Sequence, residues 1–127
     1  MGPHGKFYWN ELLTDDVEKA RAFYSATLGW TFSEMPMDGG HAYYVATLGG
    51  EPVAGMMDKT DILPPQVPPH WFSYINVDDV GARLELLKAA GGQVVREPFD
   101  IPGVGRIAIV CDATGAPFGM MTAADQG

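Results

Sequence analysis

The sequence predicts an α+β fold made of two tandem βαβββ modules, and three observations carry the prediction. Asp15-Asp16-Val17 returns as Asp78-Asp79-Val80, Gly29 as Gly92 and Glu34 as Glu97, all at one offset of 63 residues. The stretch GEPVAGMM (Gly50 to Met57) is echoed by GAPFGMM (Gly115 to Met121), with one residue dropped inside the second copy. In each copy a period-two apolar pattern passes into a helical one and back again.

Each element has a local reason. In KFYWNELLT (6–14), Phe7, Trp9, Glu11 and Leu13 share one face of a strand, with Tyr8, Asn10 and Leu12 on the other. Asp15 reads as an N-cap, and Glu18 three residues later completes a capping box. Val17, Ala20, Tyr24 and Leu28 then form one helical stripe, which Gly29 ends. Strands follow at WTFSE, HAYYVATL and PVAGMM, separated by the turn signals DGG and LGGEP. The second module repeats the order. HWFSYINV is its first strand, Val80, Leu84 and Leu87 form its helical stripe, and Gly91-Gly92 ends the helix. QVVRE, RIAIVC and PFGMM are its later strands, set apart by IPGVG and DATGAP.

Between the copies, DKTDILPPQVPPH carries four prolines, whose missing N–H groups deny a helix or a central strand. Residues 58–69 are therefore a linker, module one spans about 5–57 and module two about 70–124. A chain of 127 residues is too short for two independent domains of ordinary size, so residues 1–127 are expected to form a single domain.

Composition removes several functions. The formal net charge of −8, with acids spread over both halves, argues against a nucleic-acid partner, whose phosphates need a basic face. No apolar run approaches the ~20 residues of a membrane span, so no membrane partner is expected. The start MGPHGKFYW lacks the order of a secretory signal, and one cysteine, Cys111, can form no internal disulfide; both point to the cytoplasm. No glycine-rich phosphate loop or Ser-His-Asp arrangement can be assembled.

The duplicated βαβββ pattern, with AFYSATLGW after the first Asp-Asp signal and DATGAPFGM at the end, resembles the vicinal oxygen chelate superfamily of glyoxalases, bleomycin-resistance proteins and extradiol dioxygenases. The resemblance covers essentially the whole chain. It implies a curved mixed sheet forming a cup, and in metal-dependent members a His or Glu ligand on the first and last strand of each module. Carried over by position, the first-strand places fall on Trp9 and Phe72, and the last-strand places on Gly119 and on Gly55 or its neighbour. None of these has a donor side chain, so no metal ligand and no cofactor are predicted; a divalent ion would need non-standard ligands.

Alternation puts Glu11 with Trp9, and His70, Tyr74 and Asn76 with Phe72. An aromatic lining with a few polar groups suits a small, planar or cationic organic ligand, stacked on Trp9 and Phe72 and oriented by Glu11, Tyr74 and Asn76. The same aromatics would serve equally as plugs of a cavity. Glu11, on a partly apolar wall, is a candidate general base or a counter-charge for a cationic ligand, and His70 is an acid-base candidate. His4 and His41 read as surface or turn histidines, Cys111 as a structural thiol, and Arg106 as a solvated arginine within reach of an anion. Met56-Met57 and Met120-Met121 each send one thioether toward the helix and one toward the other face.

Two functions remain open. One is a metal-independent small-molecule binder, with the bleomycin-resistance type of sequestration implied by the resemblance. The other is a glyoxalase-like isomerase, lyase or dioxygenase, using a relocated metal site or acid-base chemistry by Glu11 and His70. A homodimer is expected, because open sheets leave edges and apolar surface that pairing covers.

Overall fold

The computed structural model describes residues 4–36, 42–61, 63–101 and 104–123. His41 lies outside them. The chain falls into two compact units, one of Trp9–Trp71 and one of Phe72–Gly127 together with Met1–Tyr8. Among the described residues no helix is long and apolar enough to cross a membrane.

The first unit takes its sheet from β1 (Lys6–Thr14), β2 (Thr31–Pro36), β3 (Ala42–Leu48) and β4 (Glu51–Asp58), and α1 (Val17–Leu28) joins β1 to β2. Strand order is β2-β3-β4-β1, antiparallel except that β4 runs parallel to β1. That parallel pair needs a crossover, which α1, β2 and β3 supply. Leu12, Leu13, Ala46, Ala54, Met56 and Met57 are buried in it. After β4, a single 3-10 turn (Lys59–Asp61) enters the proline-rich stretch. Lys59 is buried and its Nζ donates to the Pro65 carbonyl at 2.8 Å, so the linker is tied down by one ammonium.

The second unit repeats this plan with β5 (His70–Asn76), α2 (Val80–Ala89), β6 (Gln93–Ile101), β7 (Gly105–Cys111) and β8 (Pro117–Ala123). Its order is β6-β7-β8-β5, with β8 parallel to β5. Val80, Leu84 and Leu87 of α2 pack with Val77, Ala108 and Val110, and with the half-buried Ile75, Val94, Phe118 and Met120. Each fully buried valine or leucine among them contributes about 2 kcal/mol. The N-terminus belongs here: Gly5 N–H donates to the Asn76 carbonyl, and His4 Nδ1 accepts from Asp78 N–H at 3.0 Å.

Two expectations need correction. The N-cap of α1 is Asp16, whose carboxylate accepts from Lys19 N–H at 3.0 Å, so Asp15 and Glu18 form no capping box. The repeat itself explains this, since Asp79, 63 residues on, caps α2 by accepting from Ala82 N–H. Strand β6 runs on to Ile101, past the expected stop at Glu97, because Pro98 sits in an edge strand, where a missing N–H is tolerated. Gly29, at φ 75°, ends α1 as expected.

Candidate functional site

The site begins with two glycines at matching places in the repeat. Glu11 of β1 stands beside Gly55 of β4, and Tyr74 of β5 beside Gly119 of β8. Glu11 and Tyr74 are themselves 63 residues apart, so the duplication places Gly55 and Gly119 equivalently. A glycine inside a strand weakens it and marks a place where something approaches closely.

Here the visitor is an aromatic side chain in both modules. At Gly55 a Cβ would overlap the Tyr43 hydroxyl and come within 2.9 Å of Trp9 Nε1. At Gly119 a Cβ would overlap the Tyr74 ring, with Cγ only 2.9 Å away. Each tyrosine therefore requires its glycine.

In the first unit these contacts extend into a hydrogen-bonded chain. Trp9 Nε1 donates to Tyr43 Oη at 2.7 Å, and the Tyr43 hydroxyl is hydrogen-bonded in turn to the Glu11 carboxylate. Tyr43 is fully buried and Glu11 is 1% exposed, while Trp9 is half-buried. Burial pushes the Tyr43 phenol well above its ordinary value, the negative charge of Glu11 adds to that, and the Trp9 donor opposes it. A phenol so held stays protonated and donates to the carboxylate. Glu11 is therefore a buried acid held against a phenol.

In the second unit Phe72 and Tyr74 are buried and meet edge to face, with centroids 5.3 Å apart. Asn76 is also fully buried, and its Oδ1 accepts from Ala123 N–H at 3.3 Å, bracing the end of β8. His70 is half-buried, and its Nδ1 lies 2.8 Å from the Pro68 carbonyl. Arg106 pairs with Asp100 at 3.4 Å, and Cys111 is half-buried. A groove of about 310 Å³ lies beside α2 and the β7–β8 turn, lined by Leu86, Leu87, Ala113, Phe118 and Met120. At its rim Arg83 is held by Asp78, and Asp112 accepts from Thr114 and Ala116.

Tyr43 is the member of the site that sequence reasoning missed. It is one tyrosine in an alternating strand, and only strand register carries it over Gly55. The lone glycine in PVAGMM was the available signal.

A family profile described as the Glyoxalase/Bleomycin resistance protein/Dioxygenase superfamily matches residues 7–120. The chain belongs to this superfamily. CFP32 of Mycobacterium bovis, provisionally named a glyoxylase, is 45% identical over 122 residues, which are 96% of this chain and 46% of that protein. The anthracycline biosynthesis protein DnrV of Streptomyces peucetius is 29% identical over 121 residues, 87% of this chain and 44% of that one. The chain thus spans about half the length of these curated relatives. Among solved structures, methylmalonyl-CoA epimerase of Mycobacterium tuberculosis matches with TM-score 0.70 at 17% identity, covering 99% of this chain and 94% of that one. The Bacillus halodurans protein BH1468 matches with TM-score 0.73 at 14% identity, covering 98% and 99%. At such identities the likeness shows the fold, which is the glyoxalase-like α+β fold of two βαβββ modules.

Proposed function

We propose that this superfamily member binds a small organic molecule and works without the divalent ion that the metal-dependent branches hold. The observation that carries the reading is the pair of glycines. Gly55 and Gly119 stand at the last-strand places implied for ligands, and the space a ligand side chain would need is taken by Tyr43 and Tyr74. Trp9 and Phe72, at the first-strand places, have no lone pair suited to a metal. Among the described residues no three of His, Cys, Asp and Glu gather closely enough to hold an ion. The donor set does not fit a divalent metal.

What the set does fit is an aromatic guest. Trp9 is the member that solvent reaches, and Glu11 behind it offers a counter-charge to a cationic group. Phe72, Tyr74 and Asn76 hold the equivalent stretch of the second module. The likeness to a protein named for anthracycline biosynthesis makes a planar polycyclic aromatic amine the natural first probe. The reading includes a homodimer, and the single cysteine fits a reducing, cytoplasmic setting.

The Glu11–Tyr43 hydrogen bond favours one second reading, a metal-independent isomerase or lyase with Glu11 as general base. Elemental analysis after loading with Ni, Zn, Mn and Fe and dialysis tests the common ground, since about one retained ion per chain would overturn both readings. Titration with a planar cationic amine, followed by tryptophan fluorescence, should show quenching in the wild type that Glu11→Gln weakens. Proton exchange at a carbon acid, abolished by Glu11→Gln, would select the enzyme.

A further inference from the structure

The groove beside α2 shares no lining residue with the Trp9–Tyr43–Glu11 chain or with Phe72, Tyr74 and Asn76. It opens on the helix-bearing face of its sheet: Phe118 and Met120 pack toward α2, and alternation turns Gly119 between them to the opposite face. Its shape has a cause in the sequence. A Cβ at Gly92 would come within 2.7 Å of Leu87 Cγ and 2.8 Å of the Cys111 carbonyl, so the end of α2 and the end of β7 close on each other because residue 92 is glycine. By the offset of 63, Leu86, Leu87 and Gln93 stand where the first copy has Phe23, Tyr24 and Trp30, of which the last two stack at 5.2 Å. Smaller side chains in the second copy leave space between α2 and the β7–β8 turn.

A volume of about 310 Å³ is at the lower end of small-ligand sites. The walls, Leu86, Leu87, Ala90, Phe118 and Met120, offer no polar side chain, which disfavours a polar guest and suits an alkyl chain, to which the Met120 thioether adapts. Charge enters only at the rim. Arg83, the one cation among the lining residues, has Nε and Nη2 taken up by the Asp78 carboxylate at 2.9 and 3.0 Å. Asp112 accepts from the Thr114 hydroxyl at 2.7 Å, Thr114 N–H at 2.8 Å and Ala116 N–H at 3.1 Å, all on Oδ1. The Thr114 hydroxyl first, then these backbone donors, hold its carboxyl below the usual carboxylate range, and no cation among the described residues answers its charge. Leu86, Leu87 and Ala90 also lie at the C-terminal end of α2, the negative pole of its dipole. The rim therefore favours a cation, and Oδ2 is the acceptor left for it.

We propose that this groove is a binding site for a small linear aliphatic amine, its alkyl chain laid on Leu86, Leu87, Phe118 and Met120 and its ammonium held by Asp112 Oδ2. Charge complementarity selects this occupant: the walls take hydrocarbon, the rim takes one positive charge, and a chain of net charge −8 draws cations toward it. An alkyl carboxylate would meet Asp112 and the helix end with repulsion, while the Arg83 charge is already answered by Asp78. The site is independent of the aromatic guest proposed above, since the two share no residue.

Octylammonium titrated into the full chain, with nuclear magnetic resonance of the Leu87 and Met120 methyl groups as readout, tests this. The shifts should saturate, and lengthening the probe from butylammonium should tighten binding about 2-fold per methylene, half the free energy of full burial because the groove is open to solvent. Asp112→Asn keeps Oδ1 as acceptor for the turn and removes only the charge. It should weaken octylammonium roughly 5-fold and leave octan-1-ol unchanged. Leu86→Lys, at an exposed helical position where lysine keeps the helix, should abolish saturation with circular dichroism unchanged. Glu11→Gln should bind octylammonium as the wild type does. No saturable shift up to about 10 mM, octan-1-ol binding as tightly as octylammonium, indifference to Asp112→Asn, or binding lost in Glu11→Gln and kept in Leu86→Lys would each overturn the assignment.

Discussion

Tyr43→Phe removes one oxygen and nothing else, and the surroundings of that oxygen fix what should follow. The side chain is fully buried, so the phenyl ring keeps its packing and no large cavity opens. Trp9 Nε1 loses its acceptor at 2.7 Å, a bond between neutral groups worth about 1 kcal/mol, since half-buried Trp9 can turn to water. Glu11, 1% exposed, loses a donor to a charged acceptor, worth about 2 kcal/mol. Together these give a loss of about 3 kcal/mol, or roughly 10 °C in thermal midpoint for a chain of this size. Urea unfolding at pH 7 measures it. The pH dependence supplies a second, independent check. The folded phenol has its pKa raised above the unfolded value near 10, so its contribution is complete below that value and lost as pH rises toward the folded pKa. The gap between wild type and Tyr43→Phe should therefore narrow as pH climbs above 10. A loss under about 1 kcal/mol, or a gap that stays constant from pH 8 to 11, would refute the Trp9–Tyr43–Glu11 chain as described.

Other consequences follow from the same geometry. Gly119→Ala should cost about 2 kcal/mol through overlap with the Tyr74 ring, and under about 0.5 kcal/mol in a Tyr74→Ala background, a cycle read by urea unfolding. Asp78, hydrogen-bonded by Arg83, has its pKa lowered to about 2, so its contribution is present above the ordinary carboxylate value and lost as pH falls through about 2. Asp78→Asn should flatten stability against pH across that window, as followed by circular dichroism. Asp79→Ala, which removes the cap of the helix bearing the second unit's core, should lower stability by about 1 kcal/mol.

Much of the fold was legible because duplication doubles every signal. Aspartate caps, glycine stops and period-two strands each occurred twice at one offset, so a weak pattern in one module was supported by its copy. Where the reading slipped, a local choice was close. Asp15 and Asp16 are both good caps, and the choice between them depends on where the helix docks. The strand QVVRE was expected to stop at Glu97, but β6 lies at the sheet edge, where Pro98 costs no ladder bond and the strand runs on. Trp9 and Phe72 were named by position in the family pattern and Glu11, Tyr74 and Asn76 by alternation from them, and the structure finds all but half-buried Trp9 buried.

The sequence by itself determined the two modules, their element order, the superfamily resemblance and the absence of donor side chains at Trp9, Phe72, Gly55 and Gly119. These follow from periodicity and residue type, which are local. Only the tertiary structure decided that Tyr43 and Tyr74 occupy the space above the two glycines, that Glu11 is buried against a phenol, and that α2 buries Val80, Leu84 and Leu87 while no residue of α1 is fully buried. Those outcomes depend on strand register and on packing between elements distant in sequence, which appear only when strands and helices are brought side by side.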